Sequence, residues 1–83
     1  MSDDSGLEAT FWRVFARAMG APVAPGHYQQ AQIPQWDSLR HVELIFELEE
    51  EFRVEIPPDA IVELFSDTDT ILAFLRAKVI TAG

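Results

Sequence analysis

Apolar residues recur at helical spacing in two clear stripes. Leu7, Phe11, Val14, Phe15 and Ala18 fall on one side of a first helix, and Ile71, Leu72, Phe74, Leu75 and Val79 on one side of a last one. Between them, residues 38–52 behave differently. Steps of about 100° per residue put His41, Leu44, Ile45, Leu48 and Phe52 on one side and Leu39, Val42 and Phe46 on the other. A helix of a small bundle buries one broad stripe, so the first set is expected to face the core and the second to stay partly exposed. Glu43 and Glu50 sit beside the second set, and Glu49 lies close by. Exposed Val and Phe rimmed by carboxylates describe a docking strip for an apolar patch ringed by Lys or Arg. The competing expectation is that the preceding loop folds over Leu39 and Val42; Phe46, mid-helix between acidic neighbours, is harder to cover.

The punctuation of the chain predicts four helices. The first starts near Ser5, with Asp3, Asp4 and Glu8 suited to the positive end of its dipole, and Gly20 and Pro22 end it. Residues 20–36 form a long connection with Pro22, Pro25, Gly26 and Pro34, for which Val23, Tyr28, Ile33 and Trp36 are the candidate anchors. The second helix runs from Ser38 to Phe52. Pro57 and Pro58 block its continuation, and Val54 and Ile56 are expected to turn inward. A short third helix fits Asp59 to Leu64, with Pro58 or Asp59 in its first turn. Ser66 or Asp67 caps a fourth, with Arg76 and Lys78 expected near its negative end. The one alternating run, residues 52–56, stops at two prolines and would have no partner strand. The predicted fold is therefore all-α: a four-helix bundle with a long loop between helices 1 and 2 and a short third helix.

Composition narrows the function classes. The 83 residues make one domain, residues 1–83, of which 1–5 are expected to be flexible. With 48% hydrophobic residues, disorder is not expected despite a net charge of −8. There is no cysteine and there are two histidines, so neither a disulfide nor a metal site is expected to staple the fold. Absence of cysteine fits a reducing cytoplasm. The acidic first residues lack an apolar signal core, and no run reaches the roughly 18 apolar residues of a membrane span. Fourteen acidic residues against six basic ones argue against nucleic acid and for basic patches on other proteins. A monomer is expected.

Ser38 is the chemically suggestive residue. Asp37-Ser38 before an apolar helix is a common N-cap, in which either side chain holds free backbone amides. A nucleophilic serine with His41 as base is disfavoured: there is no Gly-x-Ser-x-Gly turn and no assignable oxyanion hole. His41 and Glu43 point apart on a helix, which disfavours a metal pair. His41 fits the core edge, with its ring partly buried. A hydroxyl at the helix start, next to an exposed strip, reads as an attachment point and not as a catalytic centre.

Taken in register, these segments resemble the acyl carrier proteins, the phosphopantetheine-binding four-helix carriers. Asp37-Ser38-Leu39 looks like the family's attachment motif. Residues 42–45 and 48–52 are similar to the body of its second helix, residues 56–59 to the entry of its third, and residues 69–75 to its fourth. The resemblance covers most of the chain and implies a carrier, not an enzyme. It implies that a phosphopantetheinyl transferase attaches 4'-phosphopantetheine to Ser38, with Asp37 helping to position or recognise the serine. Leu39, Val42, Glu43, Phe46, Glu49 and Glu50 would meet the enzymes that load or use the arm: an acyltransferase, acyl ligase or ketosynthase with a basic docking patch. Trp36 and Arg40 depart from the common pattern, as does the loop around residues 26–30. Arg40, a cation two residues after the serine, is expected to tune partner choice. These departures favour a discrete carrier of a specialised route, such as polyketide or related natural-product assembly, over a housekeeping fatty-acid carrier.

Two alternatives stay open. An aminoacyl, peptidyl or D-alanyl carrier would share the fold and the serine. An unmodified acidic helical adaptor would offer Leu39, Val42 and Phe46 to a partner's groove and would not need Ser38.

Overall fold

The computed structural model describes residues 3–82, with side chains from Gly6 to Val79. Within them the chain forms four α-helices: α1 Asp3–Met19, α2 Ser38–Phe52, α3 Pro58–Leu64 and α4 Thr68–Ala82. A single 3-10 turn, Gln30–Gln32, interrupts the long α1–α2 connection. The all-α bundle with a long first connection and a short α3 is the fold expected from the pattern. The helix starts two residues before the expected Ser5; side-chain capping there, and the flexibility expected of residues 1–5, lie outside the side chains described.

Each boundary has a local cause. Gly20 ends α1 at φ 73°, where its N–H reaches Ala16 O at 3.0 Å and that of Ala21 reaches the same carbonyl at 3.2 Å. Glycine takes this left-handed conformation without strain. Arg53 closes α2 in the left-handed region at φ 56°, its N–H on Glu49 O. Pro58 begins α3, where a missing N–H costs nothing. Asp67, rather than Ser66, caps α4: its Oδ1 accepts from Thr70 N at 2.7 Å. Hydrogen bonding from Thr70, first through its side chain and then through this backbone amide, holds the Asp67 carboxyl below the usual carboxylate range.

α1 and α2 run antiparallel, with Arg13 paired to Glu51 at 3.3 Å and Arg17 to Glu47 at 2.8 Å. The buried residues of all four helices join Ile33 and Trp36 of the connection in one apolar cluster. Aromatic rings thread it: Phe11, Trp12 and Phe15 of α1 contact one another, and Phe15 meets Trp36 edge-on at 5.2 Å. Trp36 in turn contacts Phe65, just past α3. Tyr28 and Val23 anchor the connection as expected, both half-buried against the core. The connection is also bonded to the α3–α4 junction, by Gln30 N on Ser66 O at 2.8 Å and Thr68 N on Tyr28 O at 2.9 Å.

Phe52 and Val54 turn inward as expected, both half-buried against the core. One expectation is corrected. Arg76 and Lys78 do not occupy the last turn of α4, which runs on to Ala82. Arg76 instead pairs with Glu8 of α1, and Lys78 lies 5.5 Å from the Phe74 ring centroid.

Candidate functional site

The candidate site is the first turn of α2 and the outer side of that helix. Its approach is held in place by the connection. Gln30 Nε2 donates to Trp36 O at 2.8 Å, Trp36 N donates to Ile33 O at 3.0 Å, and Asp37 N to Gln35 O at 2.9 Å. Trp36 itself is fully buried, which fixes where α2 can start.

At the start, Asp37 is the cap. Its backbone is extended (φ −97°, ψ −178°), and Oδ1 accepts from Arg40 N at 2.9 Å. Its carbonyl accepts the first intrahelical bond, from His41 N at 2.9 Å. The Asp-Ser ambiguity is thereby resolved. Capping falls to Asp37, and Ser38 stands exposed as the first residue of the helix. The backbone amides of Ser38 and Leu39 precede the intrahelical ladder, so they and the helix dipole favour an anion at this end.

The outer strip lies directly behind the serine. Leu39 is 68% exposed, Val42 40% and Phe46 62%. The loop therefore does not fold over them. Glu43 and Glu50 are exposed one turn beyond Leu39 and Phe46 respectively. The opposite side of the same helix is closed: Leu44, Ile45 and Leu48 have no accessible surface, and His41 is buried with them.

Two residues expected on the partner face have other tasks. Arg40 is half-buried; its guanidinium turns to the end of α1, where Nη1 donates to Ala18 O at 3.1 Å. It lies so close to Gly20 that a Cβ there would stand 2.9 Å from Nη1. Glu49 is half-buried, and its Oε2 accepts from Ile56 N at 2.8 Å, pinning the turn into α3. Both reaches depend on long side chains meeting backbone groups distant in sequence.

One residue of the surface was not foreseen. Val62 of α3 is 75% exposed, the most exposed large apolar side chain described. The signal was present: Ala60 and Leu64, four apart, make the buried side of α3, and Val62 falls midway between them on the opposite side. Ile61, its neighbour, is tied to α2 through its carbonyl oxygen, which lies 2.8 Å from His41 Nε2.

The chain matches no family model, no curated protein and no solved structure. Among the described residues, no helix is long and apolar enough to cross a membrane.

Proposed function

We propose that the chain is an acyl carrier, modified on Ser38 by 4'-phosphopantetheine. The observation that carries this reading is the division of labour at the start of α2. Asp37 does the capping, so the Ser38 hydroxyl is exposed beside an apolar strip that the fold leaves uncovered. A serine needed only as a cap would be occupied.

The residues present fit the group. Ser38 offers the hydroxyl that forms the phosphodiester, and the amides at the helix start with the dipole favour its negative charge. The group supplies a flexible arm whose terminal thiol holds an acyl chain as a thioester. Asp37 keeps the serine at the helix start. Leu39, Val42 and Phe46 provide the apolar contact to each partner, and Glu43 and Glu50 steer basic partners onto it. Weak, fast, charge-guided contacts suit a carrier that must visit several enzymes. The partners of this reading are a phosphopantetheinyl transferase and an acyltransferase, acyl ligase or ketosynthase of a polyketide-like route in the cytoplasm.

The test is the intact mass of the chain after incubation with coenzyme A, magnesium and a broad-specificity phosphopantetheinyl transferase. The wild type should gain one phosphopantetheinyl group and Ser38→Ala none. A folded wild type that gains nothing contradicts the carrier reading. The exposure of Leu39, Phe46 and Val62 favours one other reading, an unmodified acidic adaptor. An adaptor would bind its partner equally well after Ser38→Ala.

A further inference from the structure

Among the buried residues of α2, one side chain is titratable. His41 is 3% exposed, and both ring nitrogens are engaged. Trp36 Nε1–H donates to Nδ1 at 3.0 Å, and Nε2 lies 2.8 Å from the Ile61 carbonyl oxygen. An indole N–H only donates and a carbonyl oxygen only accepts. The two contacts therefore assign a neutral ring with its proton on Nε2. The relay runs from the connection through α2 into α3. The imidazole also packs against Phe65, ring centroids 4.7 Å apart.

α3 depends on such ties. It has seven residues, too few to persist without docking, and of these only Ala60 and Leu64 are buried. The turn before it is held through Glu49 and Ile56, and its middle residue meets α2 through the His41–Ile61 bond.

We propose that His41 is a proton-sensitive latch that holds α3 to α2 through the Ile61 carbonyl. The latch does not require that Ser38 be modified, and it stands or falls separately from the carrier reading. A second proton, on Nδ1, would face the Trp36 N–H donor to donor in a site closed to water. The bond would be replaced by a repulsion with no solvent to relieve it. The groups against the ring, Trp36, Ile61 and Phe65, carry no charge. Of the charged residues nearby at the cap and first turns of α2, Asp37 is engaged with the Arg40 amide, Arg40 with Ala18 O, and Glu43 is exposed. Asp59 and Glu63 of α3 are exposed as well. Burial thus dominates and lowers the His41 pKa below the ordinary value of 6.5, against the smaller opposing effect of the Ile61 carbonyl.

The sign of the pH effect follows. Above the ordinary histidine pKa both folded and unfolded chains hold a neutral ring, and the latch contributes fully. As pH falls below that value the unfolded chain takes up the proton first, so stability falls until the folded ring is protonated too.

A residue-resolved NMR titration of the full chain from about pH 7.5 to about pH 5 tests the latch. It follows the imidazole nitrogens, the Trp36 indole N–H and the amides of Ala60, Ile61 and Phe65. As His41 protonates, the indole and the three amides should move with the same midpoint, and protection of those amides from exchange should fall about fivefold or more. His41→Gln, whose amide group both donates and accepts, should keep the protection and lose the pH response. Trp36→Phe removes the opposing N–H and should let His41 protonate at higher pH. The latch is overturned if His41 titrates while the indole and amides stay in place, or does not titrate in this range. The same movement persisting in His41→Gln would also overturn it. Should that variant not fold, the wild-type titration and Trp36→Phe decide.

Discussion

Along the inner side of α2, His41, Leu44, Ile45 and Leu48 are buried among residues of the other helices and of the connection. Along the outer side, Leu39, Val42 and Phe46 have similar chemistry and remain in solvent. The same helix thus meets two different demands. Burial of the inner residues removes apolar surface from water and holds the bundle together. The outer residues contribute little to folding and leave apolar surface open to a partner. The carboxylates divide in the same way. Glu47 and Glu51 are paired with Arg17 and Arg13 of α1, and Glu49 holds the Ile56 amide, whereas Glu43 and Glu50 flank the open strip. Apolar residues and charge that serve the fold can therefore be told from those available to a partner.

Substitutions should separate the two sides, and the largest effect belongs inside. Trp36→Ala would leave a void against Phe15 and Phe65 and take the donor from His41 Nδ1. A loss of about 3–5 kcal/mol in denaturant unfolding is expected. A loss below about 1 kcal/mol would mean that Trp36 does not anchor the start of α2.

The next effect lies at the boundary between the sides. Asp37→Ala removes the cap bond to Arg40 N and should cost about 1 kcal/mol. Ser38→Ala, at the next position, should stay within about 0.5 kcal/mol of wild type. Equal losses in the two variants would mean that the serine shares the capping.

The smallest effect on stability belongs outside. Phe46→Ser should leave unfolding within about 0.5 kcal/mol of wild type, because the ring is already in solvent. Its cost should fall on partner binding alone. A marked loss of stability would move Phe46 to the inner side of the account.

The parts of this division that rest on period were legible in the sequence. Both sides of α2 follow from positions 100° apart on a helix, and the four helices from their stripes and breakers. The start of α2 was legible only as a pair, since Asp and Ser are both good caps and the choice depends on rotamers. Arg40, Glu49 and Arg76 were not legible in their contacts. Each is a long side chain that reaches a group its own helix does not reveal, respectively Ala18 O, Ile56 N and Glu8. Tertiary proximity settles such contacts, and the α1–α2 crossing and the turn into α3 had first to be known. Val62 was legible from the Ala60–Leu64 spacing, but a seven-residue helix gives that spacing only two buried members to show it.

The central claim is that the outer strip serves the chemistry at Ser38 while the inner side serves the fold. It is tested most directly by the kcat/KM of phosphopantetheinyl transfer onto Ser38 in a Leu39→Ser, Phe46→Ser double variant, with the melting temperature measured alongside. A fall of about tenfold or more in kcat/KM, worth about 1.4 kcal/mol of transition-state binding, is expected with the melting temperature held near wild type. Transfer at the wild-type rate, or a loss of rate matched by a loss of folding, would contradict it.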